Sequence, residues 1–138
     1  MRKLGVIATA VLLSAMVTVP GMAAASKSAF VGSWSSIDPV DGSIQQLTVT
    51  GGTNLAIAYV DEYATTCAEI GAATTVFTGV LTGRVSGNEL NALFNSAGCG
   101  SRLLIRAADR FVWTFEYDPN RDTLWGAIND GPATWYRD

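Results

Sequence analysis

The sequence predicts an all-β fold, an antiparallel up-and-down barrel of about eight strands that carries one disulfide. Apolar and polar residues alternate with a period of two along most of residues 26–138, which is typical of half-buried strands. Turn-forming residues interrupt these runs roughly every 8–15 residues, a rhythm typical of sandwiches and barrels. Two cysteines occur, and neither lies near the start of the chain.

The first 25 residues predict a signal peptide rather than part of the domain. A basic start precedes an uncharged run over residues 4–19, and three alanines at 23–25 supply the small side chains that a signal peptidase requires. The run is shorter than the roughly 20 residues of a membrane-spanning helix, which makes a retained anchor the weaker alternative. We therefore assign residues 1–25 to a signal peptide and residues 26–138 to one β-barrel domain of a secreted or periplasmic protein.

The charge balance beyond this leader is acidic. Loss of Arg2 and Lys3 from the nine basic residues leaves seven against twelve acidic ones, and the arginines are scattered singly. Nucleic acids and anionic membranes both bind basic patches, so we expect no nucleic acid partner and no membrane insertion after cleavage. We also expect a monomer without a cofactor.

The alternation is clearest over residues 111–117, where four large rings are separated by smaller or polar side chains. The same pattern along the chain predicts strands over residues 30–37, 44–50, 54–60, 74–84, 89–95, 109–117, 123–128 and 133–137. Residues 102–108 are open between a ninth strand and a short helix. Closure favours eight strands, because an even count lets the first and last strands pair antiparallel.

The predicted connections consist of residues that favour turns. They lie at residues 38–42, 51–52, 86–88, 118–120 and 129–132. Asp118, Asn120 and Asp122 copy the first ligand positions of a calcium loop. Thr123, however, stands where the glycine of that loop belongs, which favours a hairpin turn.

Cys67 and Cys99 are expected to form a disulfide, because an even number of cysteines in an exported protein usually pairs. Two free buried thiols are the alternative, and a metal site is poorer because two thiols without histidine are too few ligands. In an up-and-down order Cys67 follows the third strand and Cys99 the fifth, so both lie at the same end of the barrel. Such a bridge stabilises a fold by about 3.5–4 kcal/mol through chain entropy.

Residues suited to catalysis are scarce. The chain has no histidine, which removes the commonest general base and zinc ligand. Lys27 is the only lysine beyond the leader, which disfavours a Ser–Lys mechanism. Asp61 and Glu62 are adjacent, and neighbours in a strand point to opposite faces, so we interpret them as a solvated strand end. We predict no catalytic residue, no metal site and a protein that is not an enzyme.

Gly32 and Trp34 open the first predicted strand and Arg137 closes the last, and a closed barrel makes these strands neighbours. The Arg137 guanidinium can then cover the Trp34 ring by a cation–π contact worth roughly 0.5–2 kcal/mol, with Gly32 allowing close approach of backbone and ring. An ordinary core tryptophan and a solvent arginine are the alternative. The Gly-x-Trp opening and the terminal Arg resemble the calycin pattern of lipocalins. This resemblance implies a barrel that binds small hydrophobic ligands in its mouth, and some relatives inhibit proteases.

The chain beyond the leader is also similar to a group of small secreted bacterial proteins without assigned function. The pieces that carry this resemblance are residues 32–34, 38–43, 115–119 and 135–137, together with the two cysteines. The resemblance implies export, a disulfide and a β fold, and it brings no activity.

We predict a binding module for a small apolar ligand or a protein partner. The rings expected to line the ligand space are Tyr59, Phe77, Phe111, Trp113 and Phe115. A secreted protease inhibitor or interaction protein is the alternative, with the connection over residues 65–73 as its surface. A glycan-active hydrolase is the third hypothesis, disfavoured because the sequence places no pair of carboxylates in a cleft.

Overall fold

The computed structural model describes residues 25–128 and 131–138, so the predicted signal peptide, apart from Ala25, and residues 129–130 of the predicted turn at 129–132 lie outside the described residues. Two short α-helices, α1 (Lys27–Phe30) and α2 (Thr65–Glu69), and a 3-10 helix (Ala107–Asp109) accompany the strands. The strands are β1 (Gly32–Ile37), β2 (Ile44–Thr50), β3 (Leu55–Asp61), β4 (Phe77–Ser86), β5 (Glu89–Cys99), β6 (Arg102–Arg106), β7 (Val112–Asp118), β8 (Thr123–Ile128) and β9 (Gly131–Arg137). Among the described helices, none has the length and apolar character needed to cross a membrane.

Eight of these strands close into an antiparallel barrel in the order β1-β2-β3-β4-β5-β7-β8-β9. The circle is completed where β9 pairs with β1, with Trp34 opposite Arg137 and Ser35 opposite Tyr136. Consecutive strands are neighbours throughout, except that β5 is followed in the circle by β7. The predicted fold class is confirmed, including the pairing of the first strand with the last.

The ambiguous stretch forms a strand, β6, that lies outside the circle of eight. β5 is longer than predicted, because residues 89–93 pair with β7 and residues 96–99 pair with β6. Gly98 makes the second pairing possible, since a Cβ at this position would collide with the carbonyl oxygen of Arg102 in β6. The 3-10 turn follows β6 directly. Residues 102–108 therefore contain both predicted alternatives, a strand and then the start of a helical turn.

The inward-facing positions of the strands fill the barrel with apolar side chains, as the period-two alternation predicts. Aromatic rings meet edge to face, with centroids 4.6 Å apart for Phe94 and Trp113 and 4.9 Å apart for Tyr59 and Trp113. Such pairs add about 0.5–1.5 kcal/mol beyond the burial of their area. Most of the interior is a packed core rather than an open channel, which confines any ligand space to the ends of the barrel.

Helix α1, the start of β1 and the end of β9 close one end of the barrel. Phe30 is fully buried there, and the indole Nε1 of Trp34 donates to the Phe30 carbonyl oxygen at 2.9 Å. The guanidinium carbon of Arg137 lies 4.0 Å from the centroid of the Trp34 ring, so the expected cation–π contact is present. A Cβ at Gly32 would lie 2.7 Å from Nη1 of Arg137, and the φ of Gly32 is +141°. The close approach that Gly32 permits is thus to the guanidinium and not, as expected, to the indole.

Candidate functional site

The opposite end of the barrel, which we call the mouth, holds a cavity of about 190 Å³. At this end β1, β3 and β5 finish, β2, β4 and β7 begin, and α2 and β6 are added. The cavity is lined by Asp38, Gln45, Tyr59, Asp61, Ala64, Thr66, Phe77, Leu104, Ile105 and Trp113. Aromatic, aliphatic and carboxylate side chains therefore share one small space.

Three of the five rings predicted to line a ligand space do line this cavity: Tyr59, Phe77 and Trp113. Tyr59 lies between the other two, with its ring 6.1 Å from that of Phe77 and 4.9 Å from that of Trp113. Phe111 and Phe115 do not line it. Phe111 packs on Phe94 just before β7 begins, and Phe115 is buried one inward position deeper than Trp113 on β7, in the packed core.

Three buried polar side chains, Asp38, Gln45 and Asp61, line the same cavity. Gln45 and Asp61 face each other in the pairing of β2 with β3, each in phase with the buried apolar residues of its strand. Nε2 of Gln45 donates to Oδ2 of Asp38 at 2.7 Å, and the Ser43 hydroxyl donates to Oδ1 of Asp61 at 2.8 Å. A backbone N–H group also donates to each of the two carboxylates. Donors without charge therefore hold both acids in place.

Two polar atoms in the cavity wall are buried without a hydrogen-bond partner among the described residues. Gln45 is 1% exposed and its Oε1 accepts no hydrogen bond there, and Trp113 is 6% exposed and its Nε1–H finds no acceptor. Nε1 of Trp135 also lacks a partner in this part of the chain, but it lies in the packed core. An unsatisfied buried group costs about 1–3 kcal/mol, and native proteins leave few of them. Both side chains belong to the wall of the cavity.

Burial raises the pKa of Asp61, and the negative charges of Asp38 and Asp41 add to the rise. The hydrogen bonds from Ser43 and from the N–H of Tyr63 act in the opposite direction. A carboxylate that loses water and faces like charges is less readily ionised, which is why the rise prevails. The folded protein therefore binds the Asp61 proton more tightly than the unfolded chain does.

Replacing Asp61 with Asn is expected to stabilise the protein at pH 7. The amide oxygen still accepts hydrogen bonds from Ser43 and the N–H of Tyr63, and the cost of burying a charge is removed. Because folding raises the pKa of Asp61, its protonated form contributes stability that is complete below the unfolded pKa, near 3.8, and is lost as the pH rises through the folded pKa. Thermal unfolding should show a more stable variant at pH 7 and a smaller difference near pH 3.

Glu62→Gln is the matched control, because Glu62 is the adjacent carboxyl and is exposed. We expect its unfolding midpoint to stay close to that of the wild type at both pH values. An Asp61→Asn variant that is less stable than the wild type at pH 7 would contradict a buried charge at Asp61.

Cys67 and Cys99 form the predicted disulfide, with their Cα atoms 5.7 Å apart, and it lies at the mouth. It joins helix α2 to the last residue of β5, whereas the sequence places Cys99 in the connection after that strand. Ala64, Phe77 and Leu104, which line the cavity, pack against the disulfide. The bridge therefore fixes the part of the mouth that α2 and β6 build.

The remaining predicted features lie away from the mouth. Asp118 and Asn120 form a hairpin turn, in which the Asp118 carboxylate accepts the N–H of Asn120 at 2.9 Å. Asp122, at the end of this turn, bonds Arg137 at the closed end. No group of three or more His, Cys, Asp or Glu residues in the described chain is arranged to hold a metal ion.

Asp38 and Gln45 are cavity residues that were not predicted from the sequence. The prediction that Asp61 is solvated is wrong, because Asp61 is 5% exposed, whereas Glu62 is exposed as predicted. One signal was available for Gln45, because it continues the inward phase of the apolar residues at 47 and 49. A polar residue at an inward position is uncommon unless something bonds it.

Comparisons with protein-family models, with curated proteins and with solved structures find no match for this chain.

Proposed function

We propose that the protein is an extracytoplasmic binding module that holds one small ligand in the mouth of its barrel. The observation that carries this proposal is the cavity, which joins three aromatic rings to two buried polar atoms that have no partner in the described residues. Pockets that are mostly apolar with a few placed polar groups are typical of small-molecule sites. The leader pattern in residues 1–25 and the disulfide support a location outside the cytoplasm.

The size of the cavity limits the ligand to about one ring with a short substituent. A cavity of about 150 Å³ in another protein holds benzene, and the mouth cavity has a volume of about 190 Å³. The core below is filled with side chains, so a long acyl chain has no room inside the barrel. An apolar body with one or two polar groups suits both the rings and the unsatisfied atoms of Gln45 and Trp113.

A neutral one-ring probe tests this proposal. Benzyl alcohol is expected to raise the thermal unfolding midpoint, because a ligand that binds only the folded state adds about 2.7 kcal/mol at 100 times its Kd. Trp113→Phe removes the Nε1–H donor and should weaken binding by about threefold to tenfold. Trp125→Phe is the matched control, because Trp125 is 52% exposed and outside the cavity lining, and it should bind like the wild type. If neutral, cationic and anionic one-ring probes all leave the midpoint unchanged, the proposal is wrong.

A further inference from the structure

The two acids of the mouth have no cationic partner in the described chain. Asp38 is 9% exposed and Asp61 is 5% exposed. The ion pairs among the described residues join Arg121 to Asp118 and Arg137 to Asp122. Buried charges in proteins are normally paired, because an isolated charge loses its hydration without compensation. A positively charged group in the cavity would therefore stabilise these two buried carboxylates.

The other groups of the wall are compatible with a cation. Among the described residues, no lysine or arginine lines the cavity. Gln45 lies beside both acids, because its Nε2 donates to Asp38 and its residue is paired with Asp61 across β2 and β3. Its Oε1 is the buried acceptor that finds no partner in the described chain. Three acceptor side chains therefore meet in the wall, and one of them is unsatisfied.

The aromatic rings of the cavity also favour a cationic ligand. Tyr59 and Trp113 line the cavity together with the acids, and aromatic faces attract ammonium groups. Carboxylates combined with aromatic rings recognise an organic amine better than a hydrated metal ion, because the rings contribute nothing to metal coordination. The Nε1–H of Trp113 adds one donor, which suits a hydrogen-bond acceptor on the same ligand.

We infer that the cavity selects a small organic cation, a one-ring amine whose ammonium group is bound by Asp38, Asp61 and Oε1 of Gln45. This inference rests on the proposed function and specifies the class of its ligand. The ring of the amine packs against Tyr59 and Trp113, and anionic ligands of the same size are excluded by the two carboxylates. The raised pKa of Asp61 agrees with this arrangement, because an ammonium group would supply the opposite charge that the apo site lacks.

Titration calorimetry at pH 7 and constant ionic strength, with benzylamine, benzyl alcohol and benzoate, tests this inference. The three probes have one ring each and differ in charge. Benzylamine is expected to bind at least about tenfold more tightly than benzyl alcohol, and benzoate to show no binding. Asp61→Asn should reduce the preference for the amine to less than about threefold, whereas Glu62→Gln should retain it. Asp38→Asn is the second variant, in case Asp61→Asn fails to fold.

The outcomes separate the two proposals. If benzyl alcohol binds as tightly as benzylamine, the inference about the cation is overturned while the mouth remains a ligand site. If none of the three probes binds, both proposals are overturned. If both aspartate variants retain the preference of the wild type for benzylamine over benzyl alcohol, the assignment of the ammonium group to the carboxylates is wrong. If calcium chloride displaces benzylamine at a matched concentration, the acids act as a general cation site and the inference is overturned.

Discussion

Removal of the disulfide by the double substitution Cys67→Ala and Cys99→Ala is expected to lower the free energy of unfolding by about 3.5–4 kcal/mol. The two cysteines are 32 positions apart, so the bridge closes a loop that runs from the middle of α2 through β4 to the last residue of β5. Without it, the unfolded chain gains the entropy of that loop. Both cysteines are also buried against apolar side chains. Hydration of the folded variant therefore offsets little of this loss of stability. Equilibrium unfolding in urea measures the change.

Reduction of the wild type with dithiothreitol is the control for this double variant. It should bring the free energy of unfolding to within about 1 kcal/mol of the variant, because both changes release the same loop. The bridge also anchors α2 beside Ala64 and Phe77, so the affinity for benzylamine should fall in both preparations. A double variant that loses less than about 1 kcal/mol would mean that the unfolded chain is not restrained by this bridge.

Arg137→Ala is expected to cost about 2–4 kcal/mol, since it removes several interactions at the closed end of the barrel. The guanidinium donates twice to Asp122, at 2.7 and 2.9 Å, and to the carbonyl oxygens of Ala29 and Val31, at 2.7 and 2.8 Å. It also stacks on Trp34. These contacts join β9 to the start of β1 and to α1, so their loss opens the seam between the first and last strands. Arg137→Lys should recover less than half of the loss, because an ammonium group lacks the planar fork.

Arg121→Ala is the matched control for the change at Arg137. Its ion pair with Asp118 spans 3.8 Å on the surface, so we expect a change within about 0.5 kcal/mol. The hydrogen bonds from Arg137 lower the pKa of Asp122. The stability that the Arg137–Asp122 pair contributes is therefore present above the unfolded pKa of Asp122 and is lost as the pH falls through its folded pKa. The difference between wild type and Arg137→Ala should therefore narrow in acid. A loss as small as that of Arg121→Ala would contradict a structural role for the guanidinium.

The strands in which apolar and polar residues alternate clearly were predictable from the sequence. Residues 111–117 place large rings at every second position, and β7 buries Trp113 and Phe115 as that pattern requires. The closure of the barrel was predicted from the even number of strands, and the contact between Trp34 and Arg137 was expected as a consequence of closure. The disulfide followed from the cysteine count and the order of the strands.

The features that depend on distant partners were not predictable. The second half of β5 contains small residues at 96–98 that lack a strand signature, and it is extended because β6 pairs with it. The mouth cavity arises where Asp38, Gln45 and Asp61 converge from β2 and from the ends of β1 and β3. Asp61 was assigned to solvent because its strand was expected to end one residue earlier. Because β3 continues to Asp61, this residue keeps the inward phase of Leu55, Ile57 and Tyr59 and is buried.

The indole N–H signals of the four tryptophans in a ¹H–¹⁵N NMR spectrum test most directly whether the mouth binds a ligand. Trp113 lines the cavity, Trp125 is exposed on the outer face, and Trp34 packs at the closed end. Titration with benzylamine should shift the Trp113 signal, identified by its loss in Trp113→Phe, and should leave the signals of Trp125 and Trp34 in place. A Trp113 signal that stays fixed at saturating benzylamine, or that moves no further than the signal of Trp125, would contradict a ligand site in the mouth.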